Sequence, residues 1–404
     1  MGLSITSFFR SKASATQVSS IIKRFTFNGS DVSARVTEYA EVSHNAVDFI
    51  AGDFVLELEN ASQTFNPMLF NKQQFYKAGT FEYGFATATG SEDLIQLYGG
   101  VLTKMAFGKG AVRLHFQDKL TRLKERYIGT DKTPVAYTSS NYNPADLAWY
   151  LVTSYGGLSV VASTSNPDID YQTWVDWKAV FTGDSVVVQA HFKGEDVAVA
   201  LEKIARLTDS TIFDEGDNAL DFARWSAITS YYHTVTDSHM LDSPEIEISG
   251  DEMINKVDVL IGFDPITTSW TGTITRQNTP SVNSYGEHKE VYDDTNVWFV
   301  NSVAAINQAD RITFRRKEPN LRAKIRTPLA YLDAVVGDMV YLTSRVHSFD
   351  AKLMTLAAYS IDVDNHTMVL EVDEGFGRSP GKMAGFILDD DYYGLLDQSY
   401  NALY

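Results

Sequence analysis

FVLELENASQTFNPM, residues 54–68, joins a regular strand pattern to a long polar bend. Large apolar side chains alternate along its first half and fall on one face: Phe54, Leu56 and Leu58. The intervening side chains, two glutamates among them, fall on the other face, so we predict a strand over 53–60 with one buried face. The alternation stops at Asn60, and turn-forming residues follow. We expect Phe65 and Pro67 to fix the bend, which favours a structural joint over part of an active site.

The composition is typical of a folded, strand-rich protein. The 404 residues are 44% hydrophobic and 12% aromatic, and a chain of this length can hold about two to four domains. The absence of cysteine excludes disulfides, thiolate zinc sites and a cysteine nucleophile. No apolar run approaches the roughly 20 residues of a membrane span. The first residues, MGLSITSFFRSK, lack the apolar core of a signal peptide.

The chain is strongly acidic, with a formal net charge of −18. Proteins that grip the phosphate backbone of nucleic acids need a basic patch, so duplex binding is disfavoured. Two interpretations of the acidity stay open. It can serve solubility alone, or it can line a passage for DNA, where repulsion keeps the polymer from sticking.

The first half of the chain divides into a strand-rich block and an α+β block. Residues 1–129 contain about six predicted strands with tight glycine-bearing turns, then a short helix, KLTRLKER, capped by Asp118. This pattern predicts an antiparallel sheet or barrel. Residues 130–243 contain helices in NPADLAWYLVTSYGG and GEDVAVALEKIARLTDS and a hairpin in TIFDEGDNALDFARW.

Strands return in the second half. Residues 244–345 hold several predicted strands and a helix of about 20 residues near NSVAAINQADRITFRRKEP. Residues 346–404 hold a hairpin that turns at Asp364 and Asn365, then a tail without a clear period. The fold class predicted from these blocks is mainly β with an α+β insertion and a C-terminal β module.

No motif points to catalysis or metal binding. The eight histidines include no HExxH or other close metal-ligand spacing, and we expect His233 and His239, six residues apart, at the surface. DVDNHTMVLEVDE faintly resembles a calcium loop but lacks its glycine and suits a hairpin better. A G-x-S-x-G elbow, a P-loop and G-x-G-x-x-G are also missing from the sequence. We therefore expect no catalytic residue, no cofactor, no bound metal and no enzymatic activity.

The order of the segments resembles the baseplate hub, or tail-tip hub, of tailed bacteriophages. Four stretches carry the resemblance: DFVLELENASQTFNPM; YGGVLTKMAFGKGAVRLHFQDKLTRLKER; HFKGEDVAVALEKIARLTDSTIFDEGDNALDFARW; and the run from INKVDVLIG through SYGEHKE to NSVAAINQADRITFRRKEPNLRAKIRTPLAYLDAVVGDMVYLT. They span residues 50–345, whereas 130–190 and the C-terminal tail have no motif that aligns with the family.

The resemblance implies a domain plan. Two tail-tube-like β-barrel domains would occupy residues 1–129 and 244–345, with an inserted α+β domain at 130–243. Residues 346–404 would form a C-terminal β-hairpin module and tail. A homotrimer of such chains would place its barrels in a pseudo-sixfold ring.

The resemblance also implies partners and a location. The ring would join the hexameric tail tube, or a distal tail protein ring, to tip or fibre proteins and a tape-measure protein below. DNA would pass through it during genome ejection without specific binding. The protein would be made in the host bacterial cytoplasm and reside in the virion, at the tail tip or baseplate. At inter-subunit or ring-edge positions we expect the 54–68 bend and the SYGEHKE turn, with Phe65, Pro67, Tyr285 and Gly286 as interface residues.

Two other functions stay open. A receptor-binding or glycan-binding distal tail component needs an exposed aromatic platform, for which Trp174 and Trp177 in YQTWVDWKAV are candidates. Their spacing also suits a shared helix face in the core. A cell-wall-degrading tail enzyme needs a lysozyme-like segment, and the sequence contains none that is recognisable.

Overall fold

The computed structural model describes residues 21–39, 42–45, 52–70, 72–86, 91–124, 126–158, 168–214, 219–225 and 232–374. The strands in these ranges are β1 (Ile21–Phe27), β2 (Ser30–Asp31), β3 (Val36–Tyr39), β4 (Val42–Asn45), β5 (Asp53–Glu59), β6 (Ala78–Ala86), β7 (Glu92–Phe107), β8 (Ala111–Gln117), β9 (Tyr127–Ile128), β10 (Val135–Tyr142), β11 (Val188–Phe192), β12 (Glu195–Asp196), β13 (Ser210–Asp214), β14 (Leu220–Arg224), β15 (Tyr232–Val235), β16 (Glu245–Ser249), β17 (Lys256–Asp264), β18 (Ser269–Gln277), β19 (Lys289–Tyr292), β20 (Val297–Phe299), β21 (Asn320–Pro328), β22 (Met339–Ser344), β23 (Phe349–Asp362) and β24 (Thr367–Asp373).

The α-helices are α1 (Pro67–Phe70), α2 (Lys119–Leu123), α3 (Pro144–Ser154), α4 (Tyr171–Gly183), α5 (Val197–Thr208), α6 (Thr279–Tyr285) and α7 (Ser302–Arg315). Short 3-10 turns lie at Ser33–Arg35, Lys72–Gln74, Asp237–His239 and Leu329–Tyr331. The predicted fold class, mainly β with an α+β portion, is confirmed.

A fourteen-stranded sheet unites the two ends of the described chain. Its main path is β16-β21-β24-β23-β4-β5-β8-β7-β6-β1-β2, and β3, β15 and β22 branch from it. β23 pairs with the short strand β4, so the late hairpin joins the sheet that β5 to β8 begin. Only the β15–β22 pair in this sheet is parallel. β16 and β2 lie at the two ends of this path, and the described residues do not pair them with each other. The closed barrel therefore stays a prediction.

The first hydrophobic core lies against this sheet and is rich in aromatic rings. The predicted inward face of β5 is confirmed, because Phe54, Leu56 and Leu58 are all buried. The ring centroid of Phe54 lies 5.2 Å from that of Phe81, in a stacked arrangement. Leucines of β23 and β24 belong to the same core. Side chains that alternate along distant strands therefore meet in one packed layer.

The second core lies between helices and a six-stranded sheet. The sheet runs β10-β11-β20-β17-β18, and β19 pairs in parallel with β17. Helices α3, α4, α5 and α7 supply buried side chains to this core: Leu151, Phe181, Leu201 and Ile312. Strands β17 and β20 supply others, Val257, Val259 and Phe299. This core therefore needs segments from both sides of residue 243.

Local signals placed most of the helices correctly. Asp118 caps α2 as predicted and Asn143 caps α3, and they accept hydrogen bonds from the backbone N–H groups of Leu120 and Ala145 at 2.9 Å. The helix predicted in GEDVAVALEKIARLTDS is α5, and its apolar stripe is buried: Val197, Leu201, Ile204 and Leu207. The predicted 20-residue helix is wrong in length. α7 has 14 residues, because it ends at Arg315, a few residues before Pro319, which cannot continue a helix.

The predicted hairpins are also present. Asn28 and Gly29 both have positive φ, 48° and 76°, as the two-residue turn between β1 and β2 requires. At the β23–β24 turn, the Asp362 carboxylate accepts hydrogen bonds from the backbone N–H groups of Asp364 and Asn365. Strands β13 and β14 pair as predicted, and their connecting residues, 215–218, lie outside the described residues.

The sheets do not follow the borders of the four predicted segments. The large sheet takes β1 to β8 from 1–129, β15 from 130–243, β16, β21 and β22 from 244–345, and β23 and β24 from 346–404. The remainder of 244–345, including β17, β18 and α7, completes the core of 130–243. That the four segments are independent domains stays a prediction. Each hydrophobic core, however, combines residues from several of the segments. The predicted C-terminal tail lies outside the described residues.

Candidate functional site

The polar bend after β5 is closed by one buried side chain. The Asn60 Oδ1 accepts a hydrogen bond from the backbone N–H of Phe65 at 2.9 Å, and its Nδ2 donates to Asn66 Oδ1 at 2.9 Å. Its own backbone N–H donates to the carbonyl of Gly110 at 2.7 Å. The polar residues therefore form a compact corner tied to the neighbouring β7–β8 turn.

Phe65 and Pro67 hold different positions in this corner. Phe65 is 8% exposed and belongs to the first core. The Arg35 guanidinium lies over the Phe65 ring at 5.7 Å and donates to the hydroxyls of Ser62 and Thr64, both at 3.2 Å. Pro67 begins α1 and is exposed. Phe65 thus anchors the bend, and Pro67 is the member of the pair that a partner could reach. Their interface role stays a prediction.

Tyr285 and Gly286 lie where α6 ends. Gly286 has φ +85°, and its N–H donates to the carbonyl of Val282 at 2.9 Å. Asn255, which precedes β17, fixes this end: its Nδ2 donates to the Gly286 carbonyl at 2.7 Å, and its Oδ1 accepts from the His288 N–H at 2.8 Å. The predicted Tyr-Gly turn is a helix terminus, and it presents Tyr285, 47% exposed, to solvent.

The two predicted interface surfaces lie on different parts of the molecule. The 54–68 bend belongs to the large sheet, whereas the end of α6 belongs to the second sheet. No hydrogen bond among the described residues joins them. Asn255 could not be recognised from the sequence, because a single Asn before a strand has many ordinary uses.

Of the two histidines expected at the surface, one is buried and the other is exposed. His233 is buried with its Nε2 3.0 Å from Asp338 Oδ2, so its predicted surface position is wrong. His239 is exposed as expected, and its Nδ1 lies 2.7 Å from the Tyr331 hydroxyl oxygen. Within the described ranges, no group of three or more His, Asp or Glu side chains could hold a metal ion.

The described helices include none that is long and apolar enough to cross a membrane.

The tryptophans proposed as a glycan platform are core residues. Trp174 and Trp177 are 9% and 2% exposed and share the inner face of α4. The Trp174 Nε1 donates to the Ala145 carbonyl at 3.0 Å, and the Trp177 Nε1 donates to Ser210 Oγ at 2.9 Å. These two rings therefore do not form the candidate platform; they hold the core position that their spacing also suited, and they join α4 to its neighbours.

A cavity of about 360 Å³ lies between α5 and the second sheet. Its charged walls are Glu202, Lys203, Arg206, Asp293 and Asp294, and its aromatic walls are Trp270, Tyr292 and Trp298. Sequence reasoning did not find this site, since its walls come from α5, β17, β18, β19, β20 and the segment before β20.

Lys203 and Arg206, the two basic side chains of the cavity wall, already have polar partners. Lys203 Nζ lies 2.5 Å from Asn296 Oδ1 and 3.3 Å from Asp294 Oδ2. Arg206 donates to Glu290 at 2.7 Å and lies over the Tyr292 ring at 5.5 Å. The hydrogen bond with Glu290 raises the pKa of Arg206, and burial raises the pKa of Tyr292. Arg206 is therefore charged and Tyr292 neutral at pH 7.

Comparisons with known proteins identify the fold. Neither a protein-family model nor a curated protein matches the chain. A 43 kDa tail protein of prophage MuSo2 from Shewanella oneidensis has a similar structure, with a TM-score of 0.54 and 12% identity over 88% of this chain and 99% of that one. A tail protein from Neisseria meningitidis MC58 is also similar, with a TM-score of 0.55 and 12% identity over 88% of this chain and 97% of that one.

The prophage tail protein gp18 from Listeria monocytogenes EGD-e gives a TM-score of 0.51 and 11% identity over 88% of this chain and 94% of gp18. At these identities the likeness concerns the fold alone. The chain shares its fold with phage tail proteins across nearly their whole length, as the resemblance in the sequence led us to expect.

Proposed function

We propose that this chain is a structural component of a phage tail, located in the virion. The observation that carries the proposal is the shared fold, which covers 88% of the chain and at least 94% of three tail proteins, two of them from prophages. The absence of metal-ligand clusters and of an exposed aromatic platform at Trp174 and Trp177 is consistent with it within the described residues. In this proposal the protein builds the tail and catalyses nothing.

Within the tail, we propose a baseplate or tail-tip hub. Three copies form a pseudo-sixfold ring that docks on the tail tube or a distal tail ring above and carries tip or fibre proteins and the tape-measure protein below. A charge of −18 on each copy suits a passage through which DNA moves without binding. β16 and β18 are among the strands that have a described partner on one side only, and their free edges suit pairing between subunits.

The oligomeric state tests this proposal. We expect the purified full chain to have about three times its 45.0 kDa mass by light scattering, and negative-stain images to show a threefold ring that adds to isolated tail tubes. A chain that stays monomeric at micromolar concentration in the presence of tail-tube protein would contradict the hub. Clearing of a cell-wall suspension by the purified protein would contradict a purely structural role.

The predicted interface residues can be tested in the same assay. Pro67→Ala and Tyr285→Ala should lower the ring fraction without lowering the melting temperature, because both side chains are exposed. Tyr127→Ala is the matched control, since Tyr127 is 65% exposed and lies outside both predicted surfaces. An unchanged ring fraction in both variants would remove these residues from the interface.

A further inference from the structure

We propose that the free edge of β16 binds an extended segment of another tail protein, one in which basic and apolar side chains alternate. The inference rests on the proposed function only in that a tail component would supply this segment. β16 is the last strand on one side of the large sheet, and its partner among the described residues is β21 alone. An edge strand presents N–H and C=O groups that a further strand can pair with.

The two faces of β16 differ in chemistry. Glu245 and Glu247 lie on one face, and both are exposed. Ile246 and Ile248 lie on the other face, where Ile246 packs against the first core. Ile248 is 67% exposed, and no described strand lies beyond it. A strand added here would extend the core face over Ile248 and would set its other side chains opposite the two glutamates.

The β16 edge is acidic. Residues 240–252 contain no basic side chain and five exposed acidic ones: Asp242, Glu245, Glu247, Asp251 and Glu252. Glu252 has a partner, since its Oε2 lies 2.6 Å from Arg322 Nη2 on β21. Neither Glu245 nor Glu247 forms a hydrogen bond or an ion pair within the part of the chain that the structure describes. Their charges are therefore available to cations beyond the sheet.

The strand that already pairs with β16 shows what its two faces accept. β21 alternates basic residues with apolar ones: Arg322, Lys324 and Arg326 with Leu321, Ala323 and Ile325. The antiparallel register sets Glu245 opposite Lys324 and Glu247 opposite Arg322. Opposite charges that face each other across two strands stabilise the pairing, and like charges destabilise it. A strand presents the same two faces to both of its neighbours, so a segment with the alternation of β21 fits the free edge of β16.

The described strands of this chain cannot supply that segment. Basic and apolar residues also alternate in β8, but β8 and β21 already have a neighbour on each side. Two β16 edges cannot pair with each other, because glutamate would lie opposite glutamate. The edge strand β18 lacks this selectivity, since its exposed side chains are serine, threonine and glutamine. The partner of β16 is therefore a segment of a different protein.

Peptide binding to the purified full chain tests the inference. The probe is a fluorescent peptide of three Lys-Val repeats, followed by anisotropy at low ionic strength. One comparison peptide has three Glu-Val repeats. The other has three lysines followed by three valines, which keeps the composition and loses the alternation. We expect the probe to bind at least about tenfold more tightly than either, because it alone sets opposite charges and apolar side chains against β16 together. Hydrogen exchange within residues 245–249 should become slower when the probe is bound.

Glu245→Gln with Glu247→Gln should weaken binding of the probe at least about fivefold, because both opposite-charge pairs are lost. This variant should keep the wild-type melting temperature, since both side chains are exposed. Glu38→Gln with Glu59→Gln is the matched control. It neutralises two exposed glutamates on β3 and β5 and should leave the preference for the probe unchanged.

Several outcomes would overturn the inference. Equal binding of the probe and the peptide without alternation would show general attraction to an acidic surface. Absence of binding, binding without slower exchange at 245–249, and binding that the Glu245 and Glu247 variant does not weaken would each overturn it as well. Ring formation is measured separately. A chain that forms the ring and does not bind the probe contradicts this inference alone, whereas a chain that binds the probe and stays monomeric with tail-tube protein contradicts the hub alone.

Discussion

Asn60 explains why an ordinary strand is followed by an unusually polar bend. One amide side chain gives the Phe65 N–H an acceptor and ties down Asn66, while the Arg35 guanidinium bridges Ser62 and Thr64. The polar groups after β5 are therefore used inside the corner itself. This allows the chain to turn sharply while Phe65 remains in the core.

Asn60→Ala should destabilise the protein by about 1–3 kcal/mol, since it leaves the N–H of Phe65 buried without an acceptor. Chemical denaturation measured by near-UV circular dichroism would give this value. Asn60→Asp is the matched control: it keeps the oxygen that accepts from Phe65, so it should lose less than half as much. Equal losses in the two variants would mean that the hydrogen bond to Phe65 is not what stabilises the corner.

Residues with local signals were predictable, and residues whose partners lie far away were not. Asp118 was recognised as a cap because the helix it caps begins at the next residue. His233 was misplaced because its partner, Asp338, is 105 residues away. Trp174 and Trp177 could be a core face or a platform by spacing alone, and only the packing of α4 decides between them.

At the scale of elements, strand and helix positions followed from periodicity, but pairing did not. β5, α5 and the β23–β24 hairpin appear where the alternation and turn residues predict them. The insertion of β23 beside β4 has no local signal, because β4 is only four residues long. β17 exchanges its parallel partner β19 for β20 along its length, and the cavity lies at that exchange.

A buried ion pair joins the ends of two helices of the second core. Asp209, the C-cap of α5, lies 2.5 Å from Arg315, the last residue of α7, and both side chains are 4% exposed. Burial lowers the pKa of Arg315, and the carboxylate of Asp209 opposes this. Without its partner, either group would be an uncompensated charge in the interior.

Arg315→Leu should therefore lower the free energy of unfolding by about 3–5 kcal/mol. The double variant with Asp209→Asn should recover most of that loss, because Asn tolerates the left-handed backbone of residue 209 and carries no charge. Urea denaturation of the wild type, both single variants and the double variant measures the coupling. Arg345→Ala, which removes a 94% exposed partner of Asp237, should cause no measurable change. A double variant no more stable than Arg315→Leu alone would contradict this account.

For the whole molecule, the chain passes between the two cores more than once. β1 to β8 form part of the large sheet, and the elements from α2 to β14 supply much of the second core. β15 and β16 return to the large sheet, residues 254–312 complete the second core, and β21 to β24 complete the large sheet. Composition and strand pattern were enough for the mainly β class. The pairing of early strands with late ones, such as β4 with β23, was not predictable. The order of blocks along the chain does not show which strands pair across some 300 residues.

Because the second core is built from distant parts of the chain, it predicts which fragments fold independently. A fragment of residues 118–318 contains every helix and strand of the second core, so it should unfold cooperatively on heating. A fragment of residues 130–243 lacks β17, β20 and α7, and with them Val257, Phe299 and Ile312. It should have no cooperative transition, because β11 loses its neighbour β20 and the inner faces of α3, α4 and α5 become exposed. Far-UV circular dichroism melts and amide NMR dispersion distinguish the two fragments. Cooperative unfolding of 130–243 alone would instead make it a self-contained insertion, with the second half of the chain docked against it.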